Sequence, residues 1–545
     1  MKKLLALLLA LTMVFSLAAG GSSASSSTGS TAPAESAAPA ESGPMNEAPA
    51  VENAAPTSSM SKVRYGISGT VSTLQPFLAT GIVNQNVMYG VYECLFAYNK
   101  DITDIEPQIG KSYTTEDNLT YDVEMFDYVT DSQGNKITAD DVVFSFETLK
   151  AAGVQGDLNK LESIEKTGEY SVRIVVNSKI IGTFANICRF TPIVSQKAYE
   201  ASGDGFSSAP VGTGPYVVTD FQPSVSVTLT RRDDYWQTDD SQRAWLSSAN
   251  LEEITLVTIA EGSQQAIAMQ TNAVDVVSIP QTAGEVFLND PNCSFFPQTA
   301  PLGFQIHCSG DAHSPLADNA KLREAIFRAI DVNAIIAVAY GGYGEKQYTV
   351  GPASASDFQE AWKNEDYFDY NLDEAKKLLE EAGYKPGELK LQLLTINLET
   401  WSKTAQVIQQ NLSQIGVDVE IINGDAALYV SLMGDGANFD LLLHNQTKPV
   451  LANIWESRFN AEAYNGKTST GFDDPKLQEL LQGCIYETNH TDESVDAFHQ
   501  YLKEQAYSRG LCAPQNFHFT RSEVGMVEPW FDYIGNLILP CCTFA

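Results

Sequence analysis

The sequence predicts a mixed α/β fold that is divided into more than one lobe. The chain has 545 residues, whereas one domain usually contains about 100–200. Alternating strand patterns are frequent between residues 121 and 176. A strand–helix–strand pattern lies between residues 389 and 421, and such a unit indicates a parallel sheet flanked by helices.

The first half of the folded region is predicted to be rich in strands. Apolar and other residues alternate from Val63 to Ile67, which is typical of a strand. Val83, Val87, Val91 and Leu95 are four residues apart, which favours a helix. The predicted strands are Val63–Ile67, Tyr121–Met125, Ser171–Val176 and Val225–Thr230, and the predicted helices are Ile82–Phe96 and Ala139–Leu149.

The second half is predicted to be mostly helical around a parallel sheet. Helix caps define most of the boundaries: Asp318 and Asp331 each begin a helix, the first running through Ile330 and the second ending at Gly341. Asn371 and Glu374 form a predicted capping box. The further helices are Asn371–Ala382, Glu399–Ile415, Asp474–Tyr486 and Thr491–Tyr507, and strands are expected around Leu389–Leu393 and Val417–Ile421.

The N-terminus predicts export from a bacterial cell. Lys2 and Lys3 precede the apolar run Leu4–Phe15, and small residues follow, so residues 1–20 are predicted to be a signal peptide. Gly20 occupies the position where a lipobox has its cysteine, so a lipid anchor is not supported. Residues 21–61 are rich in Ser, Ala and Pro and predict a disordered tether. The expected location is the cell surface, the periplasm or the extracellular space.

Charge and cysteine content exclude some classes of protein. The net charge of -34 repels phosphate backbones, so we expect no nucleic-acid partner. None of the eight cysteines has the C-x-x-C spacing of a zinc ribbon. One or two disulfides are compatible with an exported protein, and the pairing stays open.

The sequence contains no recognisable catalytic or metal motif. G-x-S-x-G is absent, and Gly466-Lys467-Thr468 lacks the first glycine of a phosphate loop because Ala461 stands there. His307, Cys308 and His313 allow a metal site as an alternative to ordinary packing, although their spacing matches no known ligand pattern. We therefore predict no catalytic residue, no metal and no cofactor.

Several blocks, in order and spacing over about residues 61–440, resemble the family-five extracellular solute-binding proteins. This group includes the oligopeptide, dipeptide and nickel receptors. The most extended blocks are G-x-x-x-T-A-D-D-V-x-x-S at Gly134–Ser145 and P-V-G-T-G-P-Y at Pro210–Tyr216. The other blocks are Thr73–Phe77, Val91–Leu95, Arg231–Trp236, Leu322–Asp331 and Glu374–Tyr384.

The resemblance implies a two-lobed, periplasmic-binding-protein-like fold of class II with an extra β-rich subdomain. It places lobe I at 62–96, 210–302 and 513–545, the inserted β-rich subdomain at 97–209, and lobe II at 303–512. It also implies a monomeric, extracytoplasmic substrate-binding protein that captures a peptide or peptide-sized polar solute between its lobes and delivers it to the permease and ATPase subunits of an ABC importer. The alternatives are a secreted hydrolase with an unrecognised site and a receptor that serves a sensor.

The resemblance also suggests where ligand binds. In the peptide receptors a Trp and an Asp follow an F-D pair and line the cleft, with the Asp pairing to the peptide amine. Here Phe439-Asp440 matches that pair, but the following loop, His444, Asn445, Gln446, Thr447 and Lys448, contains neither residue. We therefore expect a ligand that is polar or anionic at this end, such as a modified peptide, an opine or a sugar-like solute, unless Lys448 points into solvent.

Five further residues are candidates for the cleft. They are Phe304, Gln305, Tyr429, Trp455 and Gln75. The three aromatic residues are equally compatible with a role in the core, because such side chains are commonly buried. Gln305 is equally compatible with a solvated strand position.

Overall fold

A computed structural model describes Asn53 and residues 59–78, 85–464 and 466–545. The predicted leader, nearly all of the predicted tether and the start of the predicted helix at Ile82 lie outside these ranges. Within them, no helix has both the length and the apolar character that crossing a bilayer requires.

Strands and helices alternate along the described chain. The strands are β1 Lys62–Ile67, β2 Phe96–Tyr98, β3 Ile105–Pro107, β4 Gly110–Thr114, β5 Thr120–Met125, β6 Leu161–Gly168, β7 Ser171–Val176, β8 Tyr216–Gln222, β9 Ser226–Arg231, β10 Glu253–Thr258, β11 Val276–Ser278, β12 Cys293–Thr299, β13 Gly303–Cys308, β14 Gly344–Lys346, β15 Leu389–Ile396, β16 Val417–Gly424, β17 Leu441–Gln446, β18 Ser508–Gly510, β19 Cys512–Arg521, β20 Met526–Glu528 and β21 Thr543–Phe544. The helices are α1 Gln85–Val91, α2 Ala139–Ala152, α3 Thr183–Arg189, α4 Gln196–Ser202, α5 Gly262–Gln270, α6 Gln281–Gly284, α7 Ala320–Arg328, α8 Val332–Tyr340, α9 Leu372–Glu381, α10 Glu399–Ser413, α11 Ala426–Leu432, α12 Leu451–Phe459, α13 Pro475–Gln482 and α14 Asp492–Gln505.

The largest sheet combines distant parts of the chain. Its strand order is β12-β19-β11-β1-β10-β9-β8, and β14 pairs with β19 beside this path. The central strand β1 is parallel to β10 and β11, while the outer pairs are antiparallel. A separate antiparallel sheet, β4-β5-β7-β6, forms the β-rich section that the sequence predicts. One apolar core contains side chains of both this sheet and the largest sheet, so we describe the two together as the first lobe.

The second lobe is built on the sheet β16-β15-β17-β13-β18. Strands β15 and β16 are parallel, with Leu389 opposite Val417, and α10 connects them. The predicted strand–helix–strand unit is therefore confirmed. Its helix packs on the sheet through an apolar stripe that includes Ala405, Ile408 and Leu412, each fully buried.

Three predicted element details are wrong. Helix α1 ends at Val91 rather than at Phe96, because the Val91 carbonyl accepts from the Gly214 amide and the Glu93 carbonyl accepts from Ile193. Asn319, not Asp318, caps α7, since its side chain accepts from the Leu322 amide. Asn371 caps α9 as predicted, but the Glu374 carboxylate pairs with Lys377 instead of completing a capping box.

The two lobes have separate apolar cores. The second-lobe core contains buried side chains from Phe304 to Cys512. It also includes Ile180, which lies in the segment between β7 and α3. The main first-lobe core extends from Val63 to Cys542 and excludes that interval. The chain crosses between the lobes twice, side by side: the Ala300 amide donates to Pro514, and the Leu511 amide donates to Phe304.

Each of the eight cysteines lies in the described part of the chain and is a free thiol. Six of them are buried, and the adjacent Cys541 and Cys542 pack within the first lobe. The disulfides that the sequence allows are therefore not formed in this structure.

Candidate functional site

Residues of both lobes line two cavities. The cavity beside the largest sheet, which we call the sheet cavity, has a volume of about 730 Å³ and is lined by Tyr65, Ser278 and His518 of the first lobe and by Phe304, Lys403 and Asn445 of the second. The subdomain cavity, about 510 Å³, lies between the inserted subdomain and the second lobe. Both volumes are in the usual range of small-molecule sites.

Side chains from three adjacent strands are linked by hydrogen bonds in the sheet cavity. Ser278 on β11 lies directly opposite His518 on β19, and Tyr65 is on β1, which also pairs with β11. The Ser278 hydroxyl is 2.7 Å from the Tyr65 hydroxyl and 2.6 Å from Nδ1 of His518. Burial lowers the pKa of His518 to about 3, so the imidazole is neutral. Its Nε2 has no hydrogen-bond partner among the described residues.

Two neighbouring strands of the second lobe each contribute a residue to the same cavity. Phe304 on β13 lies opposite Asn445 on β17, and both line the cavity. Phe304 is mostly buried against Trp401, with ring centres 5.0 Å apart. Lys403 and Glu399, an ion pair at 2.7 Å on α10, supply charge at the edge. The site is therefore apolar in part and lined by groups that hydrogen-bond.

The end of β17 and the loop after it lie between the two cavities. Asn445 lines the sheet cavity and Pro449 lines the subdomain cavity. Between them, the Thr447 hydroxyl donates to the carbonyl oxygen of Pro301 at 2.5 Å and contacts that of Tyr533 at 3.1 Å, both in the first lobe. Lys448 is half-buried and makes no ion pair within the described residues. The predicted ligand loop thus lies where the lobes meet.

Other predicted site residues lie behind the second-lobe sheet. Strand alternation points Gln305 and His444 away from Phe304 and Asn445. His444 Nδ1 is 2.7 Å from the Tyr429 hydroxyl, and its Nε2 contacts Arg458 on α12. Burial and the nearby Arg458 hold the pKa of His444 well below its usual range. These residues offer no surface to a ligand in the cleft in this arrangement.

The remaining candidates also lie away from the two cavities. Gln446 donates to Ser457 on α12 at 2.8 Å. Trp455 is fully buried and donates through Nε1 to the Val350 carbonyl, which is the core role that the sequence left open. Gln75 donates to the Tyr199 hydroxyl at 3.0 Å within the first lobe. Their roles as ligand contacts remain predictions.

The histidine and cysteine side chains considered for a metal do not converge. His307 Nδ1 is 2.7 Å from the Ser508 hydroxyl, while Cys308 points to the opposite face of β13. His313 is near the surface and bonds Asp311 at 3.0 Å. Among the described residues no group of His, Cys, Asp or Glu is arranged to hold a metal ion.

The sequence reasoning missed the polar groups that the first lobe brings to the cleft. Ser278 and His518 are 240 residues apart in the chain and meet only because β11 and β19 pair.

The fold and the cleft define a two-lobed solute-binding protein of mixed α/β structure. The chain belongs to the bacterial extracellular solute-binding proteins, family 5, whose middle region it matches over residues 104–457. The Glutathione-binding protein GsiB of Escherichia coli O1:K1 / APEC is 26% identical over 375 residues, which are 67% of this chain and 70% of that protein.

Solved structures show the same fold at low sequence identity. HbpA2 from Haemophilus parasuis has a TM-score of 0.76 at 19% identity, covering 89% of this chain and 100% of that one. The dipeptide binding protein from Pseudoalteromonas sp. SM9913, in complex with Met-Leu, has a TM-score of 0.68 at 18% identity, with 89% and 100% covered. The predicted family and the predicted two-lobed fold are confirmed.

Proposed function

We propose that this protein is the substrate-binding component of an ABC importer and captures a peptide or peptide-sized polar solute between its lobes. The observation that supports the proposal is that residues of both lobes line the sheet cavity. Two of the polar atoms on these residues, Nε2 of His518 and Oε1 of Gln515, have no hydrogen-bond partner among the described residues. A ligand that contacts both lobes stabilises the closed arrangement over the open one, so binding and closure are coupled. Permease and ATPase subunits are the proposed partners, and they would receive the ligand from the closed form of a monomer.

We further propose the lobe boundaries that the sequence suggested, with residues 62–96, 210–302 and 513–545 in lobe I, 97–209 as the inserted subdomain and 303–512 in lobe II. The separate apolar cores support this division, and the paired crossings at Ala300–Phe304 and Leu511–Pro514 would form the hinge. Export through an N-terminal signal peptide and placement outside the cytoplasm are part of the same proposal.

The ligand is proposed to be small and polar. The relatives named above bind glutathione and a dipeptide, and both ligands fit cavities of this size. Lys448 stands in the loop where a peptide receptor would have its carboxylate, so an ordinary peptide amine is not favoured at this end. A modified peptide, an opine or a sugar-like solute would place a polar or anionic group there.

A second candidate function is that of a hydrolase, because the Ser278 hydroxyl is within hydrogen-bond distance of the His518 imidazole. A serine hydrolase needs a histidine that accepts the hydroxyl proton near neutral pH. The pKa of His518, lowered by burial to about 3, makes it a weak base. We therefore assign the pair to hydrogen bonding with the ligand.

Native mass spectrometry of freshly purified protein tests the proposal. We expect a bound solute whose mass is lost on mild denaturation, and small-angle scattering should show expansion when it is removed. The same protein incubated with a mixture of dipeptides and tripeptides should retain some of them intact. Retention of no peptide or co-purified solute would overturn the binding proposal, and cleavage of the peptides would favour the hydrolase.

A further inference from the structure

A short segment beside the inserted β-rich sheet reaches the core of the second lobe. The segment Lys179–Gly182 connects β7 to α3, and the buried side chains of Val176 before it and Phe184 after it belong to the first-lobe core. Ile180 instead is 8% exposed and packs in the second-lobe core. Among the described residues, it is the only buried side chain of that core that precedes Phe304 in the chain. The segment therefore joins the two lobes at a place far in sequence from both crossings.

Backbone hydrogen bonds hold this segment against residues 485–487 of the second lobe. The two stretches form a single antiparallel bridge, in which Ile180 lies opposite Tyr486. On one side of the bridge, the Ile181 amide donates to the carbonyl of the first residue of that stretch at 2.8 Å. On the other side, the amide of its last residue donates to the Lys179 carbonyl at 3.1 Å. The contact is therefore a minimal β-pairing between the lobes.

Side chains add two more hydrogen bonds to the bridge. The Gly182 amide donates to Oε1 of Glu487 at 2.9 Å, and the side-chain amide of Asn453 on α12 donates to the Ile181 carbonyl at 2.9 Å. Ile181 and Tyr486 are partly buried against the second-lobe core. One fully inserted side chain and four hydrogen bonds make a contact much smaller than either core, so it can break and re-form while both cores stay intact.

The bridge and the two crossings border different cavities. Leu302 and Pro514 lie at the crossings and line the sheet cavity, whereas Ile181 and Gly182 line the subdomain cavity. A solute in these cavities thus has the crossings on one side and the bridge on the other. Ile180 lines neither cavity, so its side chain affects a bound solute only through the relative position of the lobes.

We propose that the segment Lys179–Gly182 is a latch, which binds the second lobe when the lobes close on a solute and separates from it when they open. This inference rests on the proposed function, because it assigns one structural element to the closure of the same cleft. The crossings are covalent and stay in place, whereas the latch joins the lobes by non-covalent contacts alone. A latch that forms after capture stabilises the closed form and slows release of the solute, with little effect on the rate of capture.

Ile180→Ala tests the latch, because it shortens the side chain that enters the second-lobe core and alters no residue that lines the two cavities. The probe is the co-purified solute, or a peptide retained from the mixture of dipeptides and tripeptides. Native mass spectrometry after dilution follows the loss of bound probe with time. We expect the probe to leave Ile180→Ala about tenfold faster than the wild type, and Ile180→Val should give an intermediate rate. Small-angle scattering of loaded Ile180→Ala should show a larger radius of gyration.

Ile164→Ala is the matched control. Ile164 is also partly buried, but it lies on β6, packs against the first-lobe core and lines neither cavity. This variant should release the probe at the wild-type rate. Urea unfolding of the solute-free proteins separates a latch from a permanent core contact. Because Ile180 leaves the second lobe in the open form, solute-free Ile180→Ala should unfold at the same urea concentration as the solute-free wild type.

Two results would overturn the latch while leaving the binding function intact. One is release from Ile180→Ala at the wild-type rate, and the other is a clear loss of stability in its solute-free form. A circular dichroism spectrum establishes that each variant is folded. A wild type that retains neither a co-purified solute nor any of the peptides would instead overturn the proposed function, and the latch with it.

Discussion

The hydroxyl of Thr447 lies 2.5 Å from the carbonyl oxygen of Pro301 and so links the second lobe to the first. Thr447 belongs to the loop after β17, and Pro301 belongs to one of the two segments that cross between the lobes. The sheet cavity borders the end of β17 at Asn445, and the subdomain cavity borders this loop at Pro449. The contact therefore lies beside the crossing segments, at the border between the lobes.

Replacing Thr447 by Val should favour the open form. Valine has the same shape but cannot donate to Pro301 or Tyr533, and one such hydrogen bond contributes about 1 kcal/mol. We expect roughly fivefold weaker binding of the co-purified solute by calorimetry. Thr219→Val, which removes only an exposed contact with Thr230 inside the first lobe, is the control. Equal affinities in both variants would show that the Thr447 contact does not contribute to closure.

Replacing Lys448 by Ala should weaken capture if an anionic ligand group lies beside this loop. The Lys448 ammonium has no ion pair in the described part of the chain, so the substitution breaks no salt bridge there. We expect about tenfold weaker binding at low salt and a smaller difference at high salt, because exposed charge pairs are screened. Lys390→Ala, on the outer strands of the same lobe, is the control. Unchanged affinity would remove Lys448 from the site.

Stability should fall between pH 4 and pH 6 because of Asp532. Burial raises the pKa of Asp532 from 3.8 to about 6, although hydrogen bonds from Asn536 and Ile534 oppose the shift. In this pH window the unfolded chain has lost the proton while the folded protein keeps it, so the free energy of unfolding decreases as pH rises, by roughly 3 kcal/mol in total. Urea unfolding at a series of pH values measures the pH dependence of the free energy of unfolding, and Asp532→Asn should remove the contribution of Asp532 to it.

A matched control for this slope exists in another turn of the chain. Asp131 and Asn135 form the same Asp-x-x-Gly-Asn turn as Asp532 and Asn536, with corresponding hydrogen bonds. Asp131→Asn should keep the wild-type fall between pH 4 and pH 6, because Asp532 is retained. The same pH dependence in Asp532→Asn as in the wild type would show that Asp532 does not contribute to it.

Glu93 should be important for the stability of the first lobe. Its fully buried carboxylate accepts from the Tyr235 hydroxyl, the Trp236 indole and the Ser247 hydroxyl, at 2.6, 2.7 and 2.6 Å. Glu93→Ala leaves three donors without an acceptor, two of them on buried residues, and we expect the free energy of unfolding to fall by roughly 3 kcal/mol. Glu124→Ala on the exposed face of β5 should change it by less than about 0.5 kcal/mol. Chemical denaturation measures both, and similar small losses would contradict the assigned role.

Local elements were predictable where local chemistry determines them. The caps Asp331, Asn371, Asp474 and Thr491 begin helices as the sequence indicates, since each side chain accepts from amides of its own first turn. Helix α1 was predicted too long because its apolar spacing continues to Leu95, which is buried without being helical. Pairing of Glu93 with Ile193, about 100 residues away, decides that boundary, and no local pattern records it.

The candidate site was predictable only in part. Asn445, Thr447 and Lys448 lie between the lobes, whereas His444, Gln305 and Trp455 are buried within the second lobe, and their roles as ligand contacts stay predictions. The two-residue period of a strand places neighbours on opposite faces, and the sequence alone does not say which face meets the cleft. Ser278 and His518 were not found, because their proximity depends on the pairing of strands from distant segments.

The sequence by itself determined the family, the mixed α/β class and most helix and strand positions, because caps, periodicity and ordered motifs act over short stretches of chain. Tertiary structure decided which side chains share a cavity and which charges are buried without a partner. Those properties depend on strand pairings across hundreds of residues, such as β11 with β19, and on burial, which changes the energy of a charge only after the chain has folded.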